Sequence, residues 1–407
     1  MENKVVITGL NMITSLGLDL KTNWENMTAG KSGVKGITLF DPQHTATKIA
    51  AQIPDEFEIY SKKFCSKRLS RNLTRVSKFG YVCAEEAIEK SGINFDLYDK
   101  TRCAVILGIV NTGFSSIEQN NSSKKRIIKE MTNALSAWIS MKHKLEGPSY
   151  PVSTACSSSA YAISIGYDLI KYNKADFVLV GGTDSIVDPE HIDGFNELYA
   201  LSLQNEHPEK ASRPFSKDRD GFVIGEGAGM LILESEHSAL NRKAEIHAEI
   251  CGYATTNESY NIMSPMKDGE GMARTIAQAI KNSGIDKEDI DYINAHGTST
   301  PLNDKYETLA LKKVFGKKAY EIPVSSLKSM IGHTIGAAGA IEAAATIMSI
   351  VTGILPPTIN YDNLDPELDL DYVANESRQK DTQVALSNSF AFGGHNASLV
   401  FKKYDSN

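Results

Sequence analysis

Three short runs of small residues carry side chains suited to covalent and acid–base chemistry. Cys156 lies in Ser153-Thr154-Ala155-Cys156-Ser157-Ser158-Ser159-Ala160, and His296 in Asn294-Ala295-His296-Gly297-Thr298-Ser299-Thr300-Pro301. Lys328 and His333 lie in Ser325-Ser326-Leu327-Lys328-Ser329-Met330-Ile331-Gly332-His333. A thiolate can take up an acyl group as a covalent intermediate, which splits one hard step into two easier ones. Cys156 stands between an extended run, Ser149 to Thr154, and a stretch with Ala160, Ile163, Tyr167 and Ile170 at helical spacing. The unsatisfied N–H groups of a first helical turn converge on such a junction. Their partial positive charge favours thiolate over thiol near neutral pH. An inert core cysteine is the competing reading of this segment taken alone.

His296 follows the β-prone run Ile290 to Asn294, where packing by itself explains a histidine poorly. Gly297 permits close backbone approach, and the threonines can hydrogen-bond a polar ligand. A satisfied core histidine is the alternative. Lys328 and His333 bracket a turn before a small-residue helix beginning near Gly336. A surface charge and a helix cap are the plain readings of those two. A further run, Asn388-Ser389-Phe390-Ala391-Phe392-Gly393-Gly394-His395-Asn396, puts paired glycines behind an aromatic, as in a turn whose backbone meets a ligand.

The elements that position these residues are short β-branched runs alternating with helical patterns. Five such strands precede residue 245 and five follow it, which predicts an α/β fold of two duplicated halves, 1–245 and 246–407, with buried sheets. No stretch is rich enough in Pro or Ser to be a linker, so the halves are expected to pack together. In the 407 residues, hydrophobic content is 41%, charged content 23% and net charge −7, ordinary values for a soluble enzyme that give no case for nucleic-acid or anionic-membrane binding. The five cysteines are scattered without CxxC or metal-ligand spacing, so neither disulfides nor a metal site is expected. The N-terminus enters a strand at once, leaving no room for a signal peptide, and Ala337 to Leu355, interrupted by Glu342, reads as a core helix rather than a membrane span. A cytoplasmic protein is the expectation.

Taken together, the TAC run, NAHGTSTP, SSLKSMIGHTIGAAGA, NSFAFGGHN and the segment Arg213 to Gly229 resemble the β-ketoacyl-ACP synthases, above all the type II elongating enzymes of fatty acid synthesis and their polyketide relatives. The resemblance runs from Val5 to Phe401. It implies a thiolase-like fold with a layered αβαβα core and a Cys-His-His site. Cys156 would accept an acyl group from an acyl carrier protein, and malonyl on the carrier would lose CO₂ and attack as an enolate. His296 and His333 would stabilise the enolate oxygen from Nε2. The backbone N–H groups of Cys156 and Phe392 would form an oxyanion hole, and Lys328 would orient His333 and its neighbours. Glu342 matches an acid supporting that network, with a buried structural acid an equally good reading. Thr298 and Thr300 would bind the phosphopantetheine arm, and Phe392 would gate the cysteine. No cofactor is implied beyond that carrier-borne arm. Arg68 and Arg71, within a basic cluster of Lys62, Lys63, Lys67 and Arg75, fall where the family contacts its carrier; a solvated helix face is the alternative. The Arg219-Asp220-Gly221 motif reads mainly as structural.

Departures from the family pattern gather around the acyl tunnel. In Leu107 to Phe114, Asn111 replaces an apolar tunnel-lining residue, and the stretch Asn120 to Lys144 looks short. Ala391 replaces a glycine, which would stiffen the turn before Phe392. No glycine follows Cys156 closely. Unpaired polar groups in a tunnel are costly to a saturated chain, so Asn111 suits a specialised polyketide-like ketosynthase better than a housekeeping fatty acid enzyme. In such systems the partner is either a second copy or a similar chain-length subunit lacking the cysteine. Cys156, His296 and His333 argue against this chain being that non-condensing subunit. A degradative thiolase would need a second cysteine after Cys251, and none is present.

Overall fold

The computed structural model describes residues 2–113 and 126–405. Phe114 of the tunnel segment, and the part of Asn120 to Lys144 before residue 126, lie outside these. Ten strands form the main sheet: β1 (Val5–Ile13), β2 (Cys103–Gly108), β3 (Ser149–Val152), β4 (Phe177–Asp184), β5 (Gly227–Ser235), β6 (Ala248–Asn257), β7 (Tyr292–Asn294), β8 (Val324–Ser325), β9 (Val384–Phe390) and β10 (His395–Lys402). Their spatial order is β8-β7-β9-β10-β6-β1-β5-β4-β2-β3. Counted from each outer edge inward, both halves repeat one order: third strand, second, fourth, fifth, first. The pairings repeat as well. Third, second and fourth strands run parallel, whereas fourth to fifth and fifth to first are antiparallel. The two first strands meet antiparallel at the centre, Val5 opposite Ile250 and Ile7 opposite Ala248.

Six helices complete the layers: α1 (Arg75–Ser91), α2 (Ser158–Lys171), α3 (Pro189–Glu197), α4 (Glu270–Ser283), α5 (Pro301–Phe315) and α6 (Ala338–Thr352). α1 packs on β1 and β5 and α4 on β6 and β10, each on an outer face. α2 and α6 touch each other and strands of both halves, so they form the middle layer of an αβαβα stack. Covered on both faces, β2, β4 and β9 are buried along their whole length; β2 is apolar up to its closing glycine, whereas β9 also buries Ser387, Asn388 and Ser389. The middle layer needs small residues. A Cβ on Gly339 of α6 would lie 2.9 Å from the backbone N of Ala160 on α2. The stretch Ile335–Thr352, the one described segment long and apolar enough to cross a membrane, is mostly buried here, as a core helix should be.

Element boundaries differ modestly from expectation. β1 extends to Ile13 although Thr8 and Asn11 are polar. Thr8 Oγ1 donates to Glu234, Asn11 Nδ2 donates to Glu86, and pairing with β5 continues to the end. α2 starts at Ser158, two residues before its first apolar position. β6 begins at Ala248 rather than Ile246 and runs on to Asn257, because β10 pairs with it over that length.

Candidate active site

The third strand of each half ends in the loop that leads to its central helix. Cys156 follows β3 and precedes α2, while Lys328 and His333 follow β8 and precede α6. The duplicated topology therefore brings two topologically equivalent loops to one end of the middle layer. His296 follows β7, and Phe392 sits in the turn between β9 and β10. Cys156, His296, His333, Thr298, Thr300 and Phe392 all line one cavity of about 450 Å³, with Phe195, Phe222 and Ile335 among its apolar walls.

Cys156 is held on a tight elbow. Ala155 takes φ +49°, a left-handed conformation that costs an alanine about 1 kcal/mol or more and persists only where neighbours enforce it. The serines that replace the expected glycine supply that enforcement. Ser157 Oγ donates to the Thr154 carbonyl at 2.8 Å and Ser158 Oγ to the Ala155 carbonyl at 2.6 Å. Ser159 Oγ accepts the Ala340 N–H at 2.9 Å, tying α2 to α6. Cys156 is 5% exposed. Burial pushes it up to about 12, against the Lys328 charge and the N–H groups of Phe392 and Cys156, which pull it down. The expected neutral-pH thiolate is thus not the resting form: loss of solvent outweighs the donors at the helix start.

Both histidines are neutral donors. Lys328 Nζ lies 3.3 Å from His296 Nδ1, and an ammonium can only donate, so Nδ1 accepts and the proton sits on Nε2. His333 Nδ1 accepts the Ile335 N–H at 3.2 Å, which leaves its Nε2 protonated too. Burial and the nearby Lys328 charge hold both rings well below the ordinary imidazole range. The rings meet edge to face, with centroids 5.3 Å apart. Lys328 is itself buried, donates to the His296 carbonyl at 2.7 Å and pairs with Glu342.

Glu342 does not line the cavity. It lies behind Lys328, and burial raises its carboxyl to about 7 against the pull of that ammonium. A buried ammonium needs a counter-ion, and Glu342 supplies it within the Lys328 network to which the resemblance assigned it. Asn111 is likewise absent from the wall, where its neighbour Val110 stands instead. Ala391 is extended at φ −118°, so it introduces no strain where a glycine was expected. The turn bends instead at Gly393 and Gly394, at φ +81° and +73°. Thr298 and Thr300 hydrogen-bond each other through Oγ1 at 2.8 Å on the cavity wall.

Lys62, Lys63, Lys67, Arg68 and Arg71 are exposed on short helical turns. Arg75 does not belong with them. Its guanidinium makes two bonds to the fully buried Glu226, at 2.7 and 2.6 Å, and so serves the core.

Residues that sequence reasoning passed over hold the site in shape. Glu307 accepts the N–H groups of His296 (2.9 Å) and Gly297 (2.8 Å), and Asp304 accepts those of Thr298 (2.9 Å) and Phe215 (2.8 Å). Their spacing of three on α5 puts both carboxylates on one face, a signal available in the sequence. Arg219 donates to the carbonyls of Thr300 and Pro301 and clamps the same loop, in keeping with its structural reading. The Phe392 turn is clasped from the end of β6: Asn257 Nδ2 donates to the Gly393 carbonyl at 2.9 Å, and Glu258 accepts from Asn396 at 2.9 Å. No local pattern marks that pair.

A buried thiol beside two neutral Nε2–H donors and two backbone N–H groups suits acyl transfer, with negative charge developing on oxygen. Comparison with known proteins agrees. Residues 2–239 match the family profile "Beta-ketoacyl synthase, N-terminal domain", and residues 247–362 match "Beta-ketoacyl synthase, C-terminal domain". The chain is 40% identical to the 3-oxoacyl-[acyl-carrier-protein] synthase 2 of Synechocystis sp., over 99% of both chains. The ishigamide ketosynthase/chain length factor superposes with a TM-score of 0.91 at 32% identity, covering 100% of both chains. A ketosynthase structure in complex with its type II polyketide synthase acyl-carrier protein, bound to the hexaketide, gives 0.89 at 31% identity, covering 99% of this chain and 100% of that one.

Proposed function

The chain belongs to the β-ketoacyl synthase family and is a condensing acyltransferase, and from that premise we propose that it extends an acyl group on Cys156 with a malonyl unit delivered by an acyl carrier protein, in a type II polyketide-like pathway. The carrier-bound thioester is attacked by Cys156 sulfur. The new C–S bond forms as the old one breaks, and the leaving thiol gains the proton that Cys156 gives up. Malonyl thioester then loses CO₂, and its electron pair becomes an enolate whose oxygen is held by His296 and His333 Nε2–H. The enolate carbon bonds to the acyl carbon and the C–S bond to Cys156 breaks. The product is a β-ketoacyl thioester on the carrier, two carbons longer.

One observation carries this reading: both imidazoles bordering the thiol have Nδ1 occupied by a donor, so each presents an uncharged Nε2–H. Neutral donors stabilise an enolate without protonating it. The N–H groups of Phe392 and Cys156, which face the sulfur, would hold the thioester oxygen. Thr298 and Thr300 would bind the substrate-borne arm, so the chemistry calls on no cofactor of the protein's own. Exposed Arg68 and Arg71 would meet an acidic carrier, and a second subunit, either a copy or a chain-length-factor-like partner, would complete the assembly in a cytoplasmic setting. The 40% identity to a 3-oxoacyl-ACP synthase 2 favours a second reading of the pathway, saturated fatty acid elongation.

Intact-protein mass spectrometry tests the reaction. Wild-type chain with a short acyl carrier should gain one acyl group, and Cys156→Ala should gain none. Addition of malonyl carrier should release a β-ketoacyl product. His333→Ala should still acylate but lose roughly 10²–10³ in decarboxylation. Acylation surviving in Cys156→Ala would sink the assignment. Turnover of saturated against poly-β-keto chains separates the two pathways.

A further inference from the structure

Behind the cavity wall lies a polar chain that the condensation chemistry does not use. Val110, Phe195 and Ile335 line the cavity. One residue past Val110, Asn111 is buried, and its Oδ1 accepts the Gly113 N–H at 2.9 Å. That bond orients the amide, so Nδ2 is the donor, reaching the Ser185 carbonyl and His191 Nε2, each at 3.4 Å. His191 stands one helical turn before Phe195 on the same face of α3. Its Nδ1 is 2.8 Å from Asp188 Oδ2, an acceptor, so Nδ1 carries the proton and Nε2 accepts from Asn111. Asp184, fully buried, bridges the N–H groups of Asn111 (3.3 Å) and Gly336 (3.0 Å), the latter next to Ile335. Three apolar wall residues are thus neighbours, in chain or helix, of three members of one hydrogen-bonded layer.

We propose that His191, oriented by Asp188 and bonded to Asn111, sets a polar stop to the acyl cavity and selects against saturated acyl chains long enough to push past Val110 and Phe195. The inference rests on Cys156 being the acyl acceptor. A saturated chain pushing past Val110 and Phe195 would part the Asn111–His191 bond and offer no polar atom in its place, leaving Asn111 Nδ2 with the Ser185 carbonyl alone, whereas a chain bearing oxygen at that depth can take the freed amide proton. This makes His191 a specificity-determining residue acting through Asn111.

The test is competitive loading of Cys156 from butyryl- and dodecanoyl-carrier thioesters, read by intact mass. His191→Leu should raise the dodecanoyl-to-butyryl ratio by roughly tenfold, the discrimination that one unpaired buried polar group sets. His191→Gln, whose Oε1 can still accept from Asn111 Nδ2, should keep the wild-type ratio. Protonated His191 can only donate, so as pH falls through the histidine's titration the wild-type ratio should rise by more than the Gln variant's, in which only Asp184, raised by burial to about 7, still titrates in this layer. The Asp188 hydrogen bond places that titration above the ordinary imidazole value, burial opposing it. Among the described residues, the charges acting on the ring are Asp188 and Glu190 at the start of α3 and Asp184 at the end of β4. A Leu variant that loads butyryl groups normally but leaves the ratio unchanged overturns the inference, as does a Gln variant that behaves like Leu. Failure of wild type to load butyryl groups overturns instead the reading of Cys156 beneath it.

Discussion

Cys156 meets opposed electrostatic demands. Its position at the start of α2 and the Lys328 charge favour the thiolate, while removal from water favours the thiol, and burial wins with a value of about 12. Resting Cys156 should therefore alkylate with iodoacetamide at a rate that rises about tenfold per pH unit from about pH 6 to about pH 9. Peptide mass mapping would follow it apart from the other four cysteines. A plateau near neutrality would mean that the helix start outweighs desolvation. The histidines show the same physics with the opposite sign: burial beside an ammonium keeps them neutral, which is the state that enolate stabilisation needs. The cysteine, both histidines and the lysine stood out in the sequence, but it was the family motifs rather than residue type and spacing alone that set them apart from a core cysteine, a core histidine, a helix cap and a surface charge. The protonation states were not, because they depend on what surrounds each group rather than on its neighbours in the chain.

At the scale of elements, the first turns of α5 do more to shape the site than their sequence advertises. Pro301 opens the helix, and Asp304 and Glu307 then turn inward to collect the N–H groups of the loop after β7. Burial raises Glu307 to about 7, against the two N–H groups and the Lys328 charge that favour its ionised form. Its unfolded value is near the ordinary 4.5, so between those pH values the native state holds the extra proton. The contribution of Glu307 to stability is therefore greatest below about pH 4.5 and declines as pH rises through about 7. Denaturant unfolding across this range should show the stability of wild type relative to Glu307→Gln falling by up to about 3 kcal/mol. A flat difference would mean that Glu307 is ionised throughout.

On the scale of the whole molecule, the site exists because one topology is repeated. Each half sends its third strand into a central helix, and packing α2 against α6 sets the Cys156 elbow beside the Lys328–His333 loop. Close contact at Gly339 carries that arrangement, since its missing Cβ leaves room for the Ala160 backbone. Gly339→Ala should cost about 1–3 kcal/mol by overpacking. Because Ala160 lies four residues beyond Cys156, the same change should also slow Cys156 acylation. Thermal melts read with acylation rates would check both, and loss of stability with acylation unchanged would show that the elbow is set locally.

The sequence by itself determined the family, through several motifs in fixed order, and the alternation of strands and helices, through local periodicity; it offered the candidate reactive side chains only as that family's motifs imply them. Tertiary structure alone decided which of those side chains share a wall. Asn111 read as a tunnel-lining residue in the chain, yet it sits one residue behind the cavity, and Glu342 stands behind Lys328 as its counter-ion. Arg75 read as part of a basic surface and proved to be a core ion pair. Glu258 and His191 carried no signal at all. Such roles come from contacts between residues far apart in sequence and from burial, and burial depends on how the two halves close on each other.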